Sequence, residues 1–159
     1  MNTLVVYDSL YGNTEQIAQT LAQTLQEFGA ARLKSVEQVT GADLQDVDLL
    51  VLGCPTQGWH PTPAMHTFLA SVTDAMLSGL DVACFDTRFH LPRFLTGSAA
   101  HALVDQMHKL GALVLMPPES FFVESKQGPL EEGELQRADG WARALYSRIE
   151  EHSPVLHPM

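Results

Sequence analysis

The 159 residues carry 19 acidic and 9 basic side chains, a formal charge of −10, with 45% hydrophobic and 18% charged content. That balance suits a globular chain able to bury a core, and it argues against nucleic acid and anionic membranes as partners, since Lys/Arg patches supply affinity for both. No basic leader precedes an apolar stretch and no apolar run reaches the roughly 18 residues of a span, so a cytoplasmic protein with neither export signal nor membrane anchor is expected.

In chain order, residues 4–7 (Leu-Val-Val-Tyr) read as a buried parallel strand. A short turn rich in hydroxyl and small side chains follows, and an amphipathic helix starts near Asn13 on Ile17, Leu21, Leu25 and Phe28, stopped at Gly29. Residues 31–36 alternate and suit an edge strand; residues 37–48 form an acidic connection with one helical turn near 42–45. Residues 48–54 are a second fully apolar strand. Then come a polar stretch at 55–63 and a helix on Met65, Phe68, Leu69, Val72 and Met76.

Residues 80–85 make a third buried strand, with a polar irregular loop expected from Asp86 to Thr96. Gly97-Ser98-Ala99 opens a helix on Leu103, Met107 and Leu110. Residues 112–116 form the last clear strand, halted by Pro117-Pro118 and extended by residues 120–124. Glu131 and Glu132 lead a terminal helix on Leu135, Ala138, Ala142, Leu145 and Ile149. One domain over residues 1–151 and a frayed tail over 152–159 are expected. The alternation of strand and helix implies a parallel, doubly wound α/β sheet.

Cys54 and Cys84 each end an apolar run and read as small buried hydrophobes in reduced surroundings, with no CxxC pair. The seven histidines form no HExxH and no tight pair with a cysteine, so no metal site is expected.

The segment joining the first strand to the first helix is an anion site in outline. The first helical N–H groups lack partners within the helix, and the helix dipole leaves partial positive charge there. It has neither the GxxxxGK[ST] of a P-loop nor the glycines of GxGxxG. Lys and Arg are absent through residue 31, so a phosphate would be held by neutral donors alone.

Tyr7-Asp8-Ser9-Leu10-Tyr11-Gly12-Asn13-Thr14, followed by Ile17 and Ala18, resembles the flavodoxin signature S/T-x-x-G-N-T and its helix. The runs at 85–88, 91–100, 117–123 and 128–135 are similar to a bacterial short-chain branch of that family, so the resemblance spans nearly the whole chain. It implies a five-stranded sheet of order 2-1-3-4-5 in three α/β/α layers, with FMN as cofactor. Ligands in open α/β sheets lie beyond the strands' carboxyl ends where strand order reverses, flavodoxin itself being the standard example.

By that resemblance Ser9, Leu10, Tyr11, Gly12, Asn13 and Thr14 would hold the phosphate. Pro55, Thr56, Gln57, Gly58, Trp59 and His60 would flank one side of the ring, with Trp59 stacked on it; Asp86, Thr87, Arg88, Phe89 and His90 would flank the other. Flavodoxins usually place a glycine after the aromatic residue, where a peptide can flip on reduction; here Gly58 precedes Trp59. Arg88 and Arg93 depart from the arginine-poor loops of electron-carrier flavodoxins. No residue is expected to act as a catalyst. The implied function is an electron carrier, monomer or weak dimer, meeting redox proteins through an acidic surface. The alternatives are an FMN-dependent NAD(P)H or quinone reductase, or a protoporphyrinogen-oxidase-like enzyme, and a non-redox binding module.

Overall fold

The computed structural model describes residues 1–152. Its strands are β1 (Asn2–Tyr7), β2 (Ala30–Ser35), β3 (Leu49–Pro55), β4 (Asp81–Phe89), β5 (Leu113–Val114) and β6 (Glu119–Val123). Its helices are α1 (Asn13–Leu25), α2 (Pro63–Ser71), α3 (Asp74–Leu77), α4 (Arg93–Thr96), α5 (Ala99–Lys109) and α6 (Glu134–His152). The expected tail begins at the last residue of α6, and residues 153–159 lie outside the described part.

All strand pairings are parallel, in the order β2-β1-β3-β4-β5, with β6 also on β4. The strand order is the one expected, and β2 lies at the edge. The fifth position is split. β5 pairs with the start of β4 (Asp81↔Leu113) and β6 with its end (Phe85↔Glu119), so the register slips by two residues between them. Pro117 and Pro118 sit in that gap, where they have no N–H to give to a ladder.

Side chains of successive strand residues point to opposite faces, so each central strand feeds two cores. Leu4, Val6, Leu50 and Leu52 pack with Met65, Phe68 and Leu69 of α2 and with Leu103 and Met107 of α5. Val5, Val51 and Phe85 pack with Ile17, Leu21 and Leu25 of α1 and with Ala138, Trp141, Ala142, Leu145 and Ile149 of α6. Phe85, Phe121 and Trp141 meet edge-on, with centroids 6.0–6.2 Å apart. Trp141 was absent from the expected α6 face, and Leu135, expected on it, is 43% exposed.

The helix expected over residues 65–76 is two helices. Thr73 restarts the backbone as an N-cap, its hydroxyl accepting from the Met76 N–H at 3.3 Å. Val72 and Leu77 are buried while Met76 turns outward. β4 also runs on through Asp86, Thr87 and Arg88, which were expected to be loop. Pairing with β3 on one side and β6 on the other satisfies its backbone, and the polar side chains find partners of their own.

Both cysteines are buried and unbridged, and burial pushes the Cys54 thiol up to about 12. No described helix is long and apolar enough to cross a membrane. Among the described residues no group of three or more His, Cys, Asp or Glu side chains has a metal-holding arrangement.

Two tests follow from this packing. Gly53 faces Phe85 in the ladder, and a Cβ there would come 2.0 Å from the Phe85 ring. Gly53→Ala is therefore expected to lower stability by roughly 1–3 kcal/mol in urea unfolding, as overpacking does. At the start of α6, burial raises the Glu134 pKa, but the Arg137 guanidinium and the Phe122 N–H outweigh it and hold the carboxyl below its ordinary 4.5. A depressed folded-state pKa gives stability that is full above that ordinary value and is lost as pH falls through the folded one. Glu134→Gln should cost about 1–3 kcal/mol near pH 7, and progressively less as pH falls below the ordinary 4.5 and through the lower folded-state value, measured by urea unfolding across that range.

Candidate functional site

At the carboxyl ends of β1, β3 and β4 lies a cleft of about 480 Å³. The first wall is the turn between β1 and α1. Gly12, at φ +91°, bends the backbone into the helix. The Ser9 hydroxyl accepts from the Gly12 N–H at 3.1 Å and the Glu15 N–H at 3.3 Å. The N–H groups of Leu10, Tyr11, Asn13 and Thr14 have no acceptor among the described residues. Asn13 is 8% exposed, and its side-chain amide is likewise unpartnered there. Open donors converging on a helix N-terminus, where the dipole adds partial positive charge, suit an anion. The Thr14 hydroxyl is hydrogen-bonded to that of Thr87 at 2.8 Å, tying this turn to β4.

The second wall follows β3. Gln57 and His60 exchange both backbone hydrogen bonds, at 2.8 and 2.9 Å, around a two-residue turn in which Gly58 and Trp59 have φ +49° and +78°. Positive φ at both corner residues is what such a turn requires. For Trp59 it costs about 1–2 kcal/mol, because its Cβ crowds the backbone. The indole is 52% exposed at the cleft mouth.

The third wall is the end of β4 with the segment after it. Thr87, Arg88 and Phe89 line the cleft, joined by Leu91, Leu95 and Thr96. Arg88 donates to the Ser120 hydroxyl at 2.9 Å, the Leu91 carbonyl at 2.8 Å and the Thr96 hydroxyl at 3.1 Å, with its guanidinium over the Phe122 ring. Among the described residues it has no carboxylate partner, Asp86 included.

Four of the expected site residues lie outside the lining. Gly12 shapes the first turn, and His60 closes the second. Asp86 is fully buried beneath Thr56, accepting from the Ser98 hydroxyl at 2.6 Å, the Ala100 N–H at 3.0 Å and the Thr56 hydroxyl at 3.2 Å. In that place it anchors the start of α5 to the second wall. His90 stacks on Phe122, centroids 3.9 Å apart, and bonds the Glu131 carboxylate at 2.8 Å, so it turns away from the cleft. The other expected residues, Ser9, Leu10, Tyr11, Asn13, Thr14, Pro55, Thr56, Gln57, Gly58, Trp59, Thr87, Arg88 and Phe89, come together.

The lining also takes in Val123 and Lys126, which the sequence did not suggest. Val123 ends β6 and Lys126 follows it, and nothing in their local composition connects them with a turn more than a hundred residues earlier. Lys126 adds a cation to the lining of the cleft that the first turn also lines. The residues present fit FMN in kind. Open N–H donors would meet an anion, and the apolar side chains of Trp59, Phe89, Leu91 and Leu95 would border a planar ring.

A family model described as Flavodoxin matches residues 5–141. A flavodoxin of Maridesulfovibrio salexigens is 30% identical over 118 residues, covering 71% of this chain and 80% of that protein. Among solved structures, a flavodoxin from the domain Archaea superposes with TM-score 0.79 at 18% identity, over 94% of this chain and 99% of that one. An oxidised flavodoxin 1 from Bacillus cereus gives 0.77 at 18%, over 92% and 98%. By its strand order, its cleft and the match along most of its length, the chain belongs to the flavodoxin family, whose members carry electrons on bound FMN.

Proposed function

We propose that this protein is a one-electron carrier that holds FMN in the cleft between the three walls and passes electrons to and from other redox proteins. The observation that carries this reading is the set of unpartnered donors at Leu10, Tyr11, Asn13 and Thr14, in one cleft with the apolar side chains of Trp59, Phe89, Leu91 and Leu95. The cofactor supplies the redox chemistry; the protein supplies binding, orientation and electrostatics.

In this reading the first turn takes the phosphate. Trp59 stacks on one face of the ring, and Phe89, with Leu91 and Leu95, borders the other. The strain at Trp59 is of the kind stored at functional sites, where the surrounding structure holds a residue in a sparsely populated conformation. Arg88 places a positive charge beside the slot with hydroxyls and a carbonyl as its hydrogen-bond partners. That charge would stabilise an anionic form of the ring and raise the potential of the second electron.

A docking partner would meet the exposed edges of Leu10, Tyr11, Trp59 and Leu95, each about half exposed, within a chain of charge −10. A negative field of that size steers basic partner surfaces and repels acidic ones.

Two measurements test the proposal. Potentiometric titration of the FMN-loaded protein should resolve two separate one-electron steps. A single two-electron step together with rapid oxidation of NAD(P)H would favour the reductase, and a purified protein that takes up no FMN would favour a non-redox module. Trp59→Gly should leave the stability of the apoprotein about unchanged, since strain relief offsets glycine's added chain entropy. The same change should weaken FMN by roughly two- to tenfold through lost stacking, read by fluorescence titration.

A further inference from the structure

We propose that Lys126 is the cationic arm of the phosphate site and sets this chain's preference for FMN over the unphosphorylated ring. The inference rests on the FMN reading above and adds to it a residue from the far end of the chain.

Lys126 lines the same cleft as Ser9, Leu10, Asn13 and Thr14, yet makes no hydrogen bond or ion pair among the described residues. The other basic residues near the amino-terminal strands are engaged: Arg32 and Lys34 both pair with Asp43, at 3.1 and 2.9 Å. Lys126 is also held in place. Val123 bridges to Leu130, the Glu124 N–H donates to the Pro129 carbonyl at 2.9 Å, and the Gly128 N–H donates to the Ser125 carbonyl at 3.0 Å. The segment is thus a closed excursion with Lys126 and Gln127 at its corner.

That excursion rests on the anion site itself. Gly128 lies so close to the Asn13 side chain that a Cβ would come 2.6 Å from its Oδ1. Asn13, more than nine-tenths buried and unpartnered, is therefore confined between the first turn and the loop that carries Lys126. The seat of the lysine and the open donors of the turn belong to one packed unit.

The charge arithmetic gives the lysine its role. Bringing a phosphate dianion to a protein of charge −10 is opposed by the overall field, and open N–H groups offer only partial charges against it. A single ammonium at the mouth acts as a point charge on the phosphoryl group. Acting on the phosphoryl group and not on the ring, it would contribute to FMN binding and not to riboflavin binding.

Apoprotein of the wild type, Lys126→Gln and Lys126→Arg is titrated with FMN and with riboflavin, at low and high salt, by quenching of flavin fluorescence. Lys126→Gln should weaken FMN by roughly three- to tenfold, within the range of a partly exposed charge-assisted contact. Riboflavin affinity should stay within about twofold, and Lys126→Arg should keep near-wild-type FMN affinity, since a solvent-side charge is what matters. Added salt should reduce the wild type's preference for FMN more than that of Lys126→Gln. Equal loss of both flavins, or no loss of either, overturns the proposal. If the glutamine variant does not fold, Lys126→Ala is titrated in its place, and an FMN-to-riboflavin affinity ratio equal to the wild type's overturns the proposal. Wild-type protein that binds neither flavin overturns the FMN reading itself, a result distinct from all of these.

Discussion

The pairing of β4 on both sides at once is the constraint on which the site depends. β3 runs beside it as far as Pro55↔Thr87, and β6 runs beside its outer half from Phe85 to Phe89. Parallel strands hydrogen-bonded in register must end on the same side of the sheet, so the segments that leave them have to meet there. Because β4 is carried past its apolar core into Asp86, Thr87 and Arg88, it delivers polar side chains to a place set by backbone geometry. A loop of the same composition would leave those residues unplaced.

Charge is arranged along that strand in layers. Asp86 is fully buried and offset by the N-terminus of α5 and two hydroxyls. Thr87 is bonded to the first turn, and Arg88 reaches the cleft with its donors spent on carbonyl and hydroxyl groups. Behind them, Glu134, Arg137, Phe121 and Phe122 form a second network in which guanidinium groups lie over aromatic rings. Phe122 has His90 stacked on it as well, so an aromatic side chain that might have faced a flavin instead supports the wall. The cleft is consequently apolar in its slot and cationic at two points of its rim, within a chain that is acidic as a whole.

The alternation of apolar strands with amphipathic helices made the layered sheet legible, because period-two and period-3.6 patterns report burial directly. The first turn was legible for the same reason: Gly12, Asn13 and Thr14 are local chemistry that works wherever the helix starts. What misled was polarity taken for irregularity. Asp86 to Arg88 have side chains that suit a loop, and pairing with β3 on one side and β6 on the other makes them a strand. Helix α2 ends before Val72 because Thr73 and Asp74 supply a new cap, a local signal outweighed in the reading by the apolar spacing of Val72 and Met76. Leu135 kept the helical spacing but faced outward, and Trp141 took the place beside Phe85.

By itself, then, the sequence determined the alternation of strand and helix, most of the side of each long helix that packs inward, and the presence of a polar turn entering a helix after the first strand, since all three follow from contacts among neighbours in the chain. Tertiary structure decided which expected residues face the cleft, turned His90 and Asp86 into supports, and brought Lys126 into the cleft that the first turn lines. Such choices depend on strand register and on the packing of loops against one another, and neither is encoded within any short window of residues.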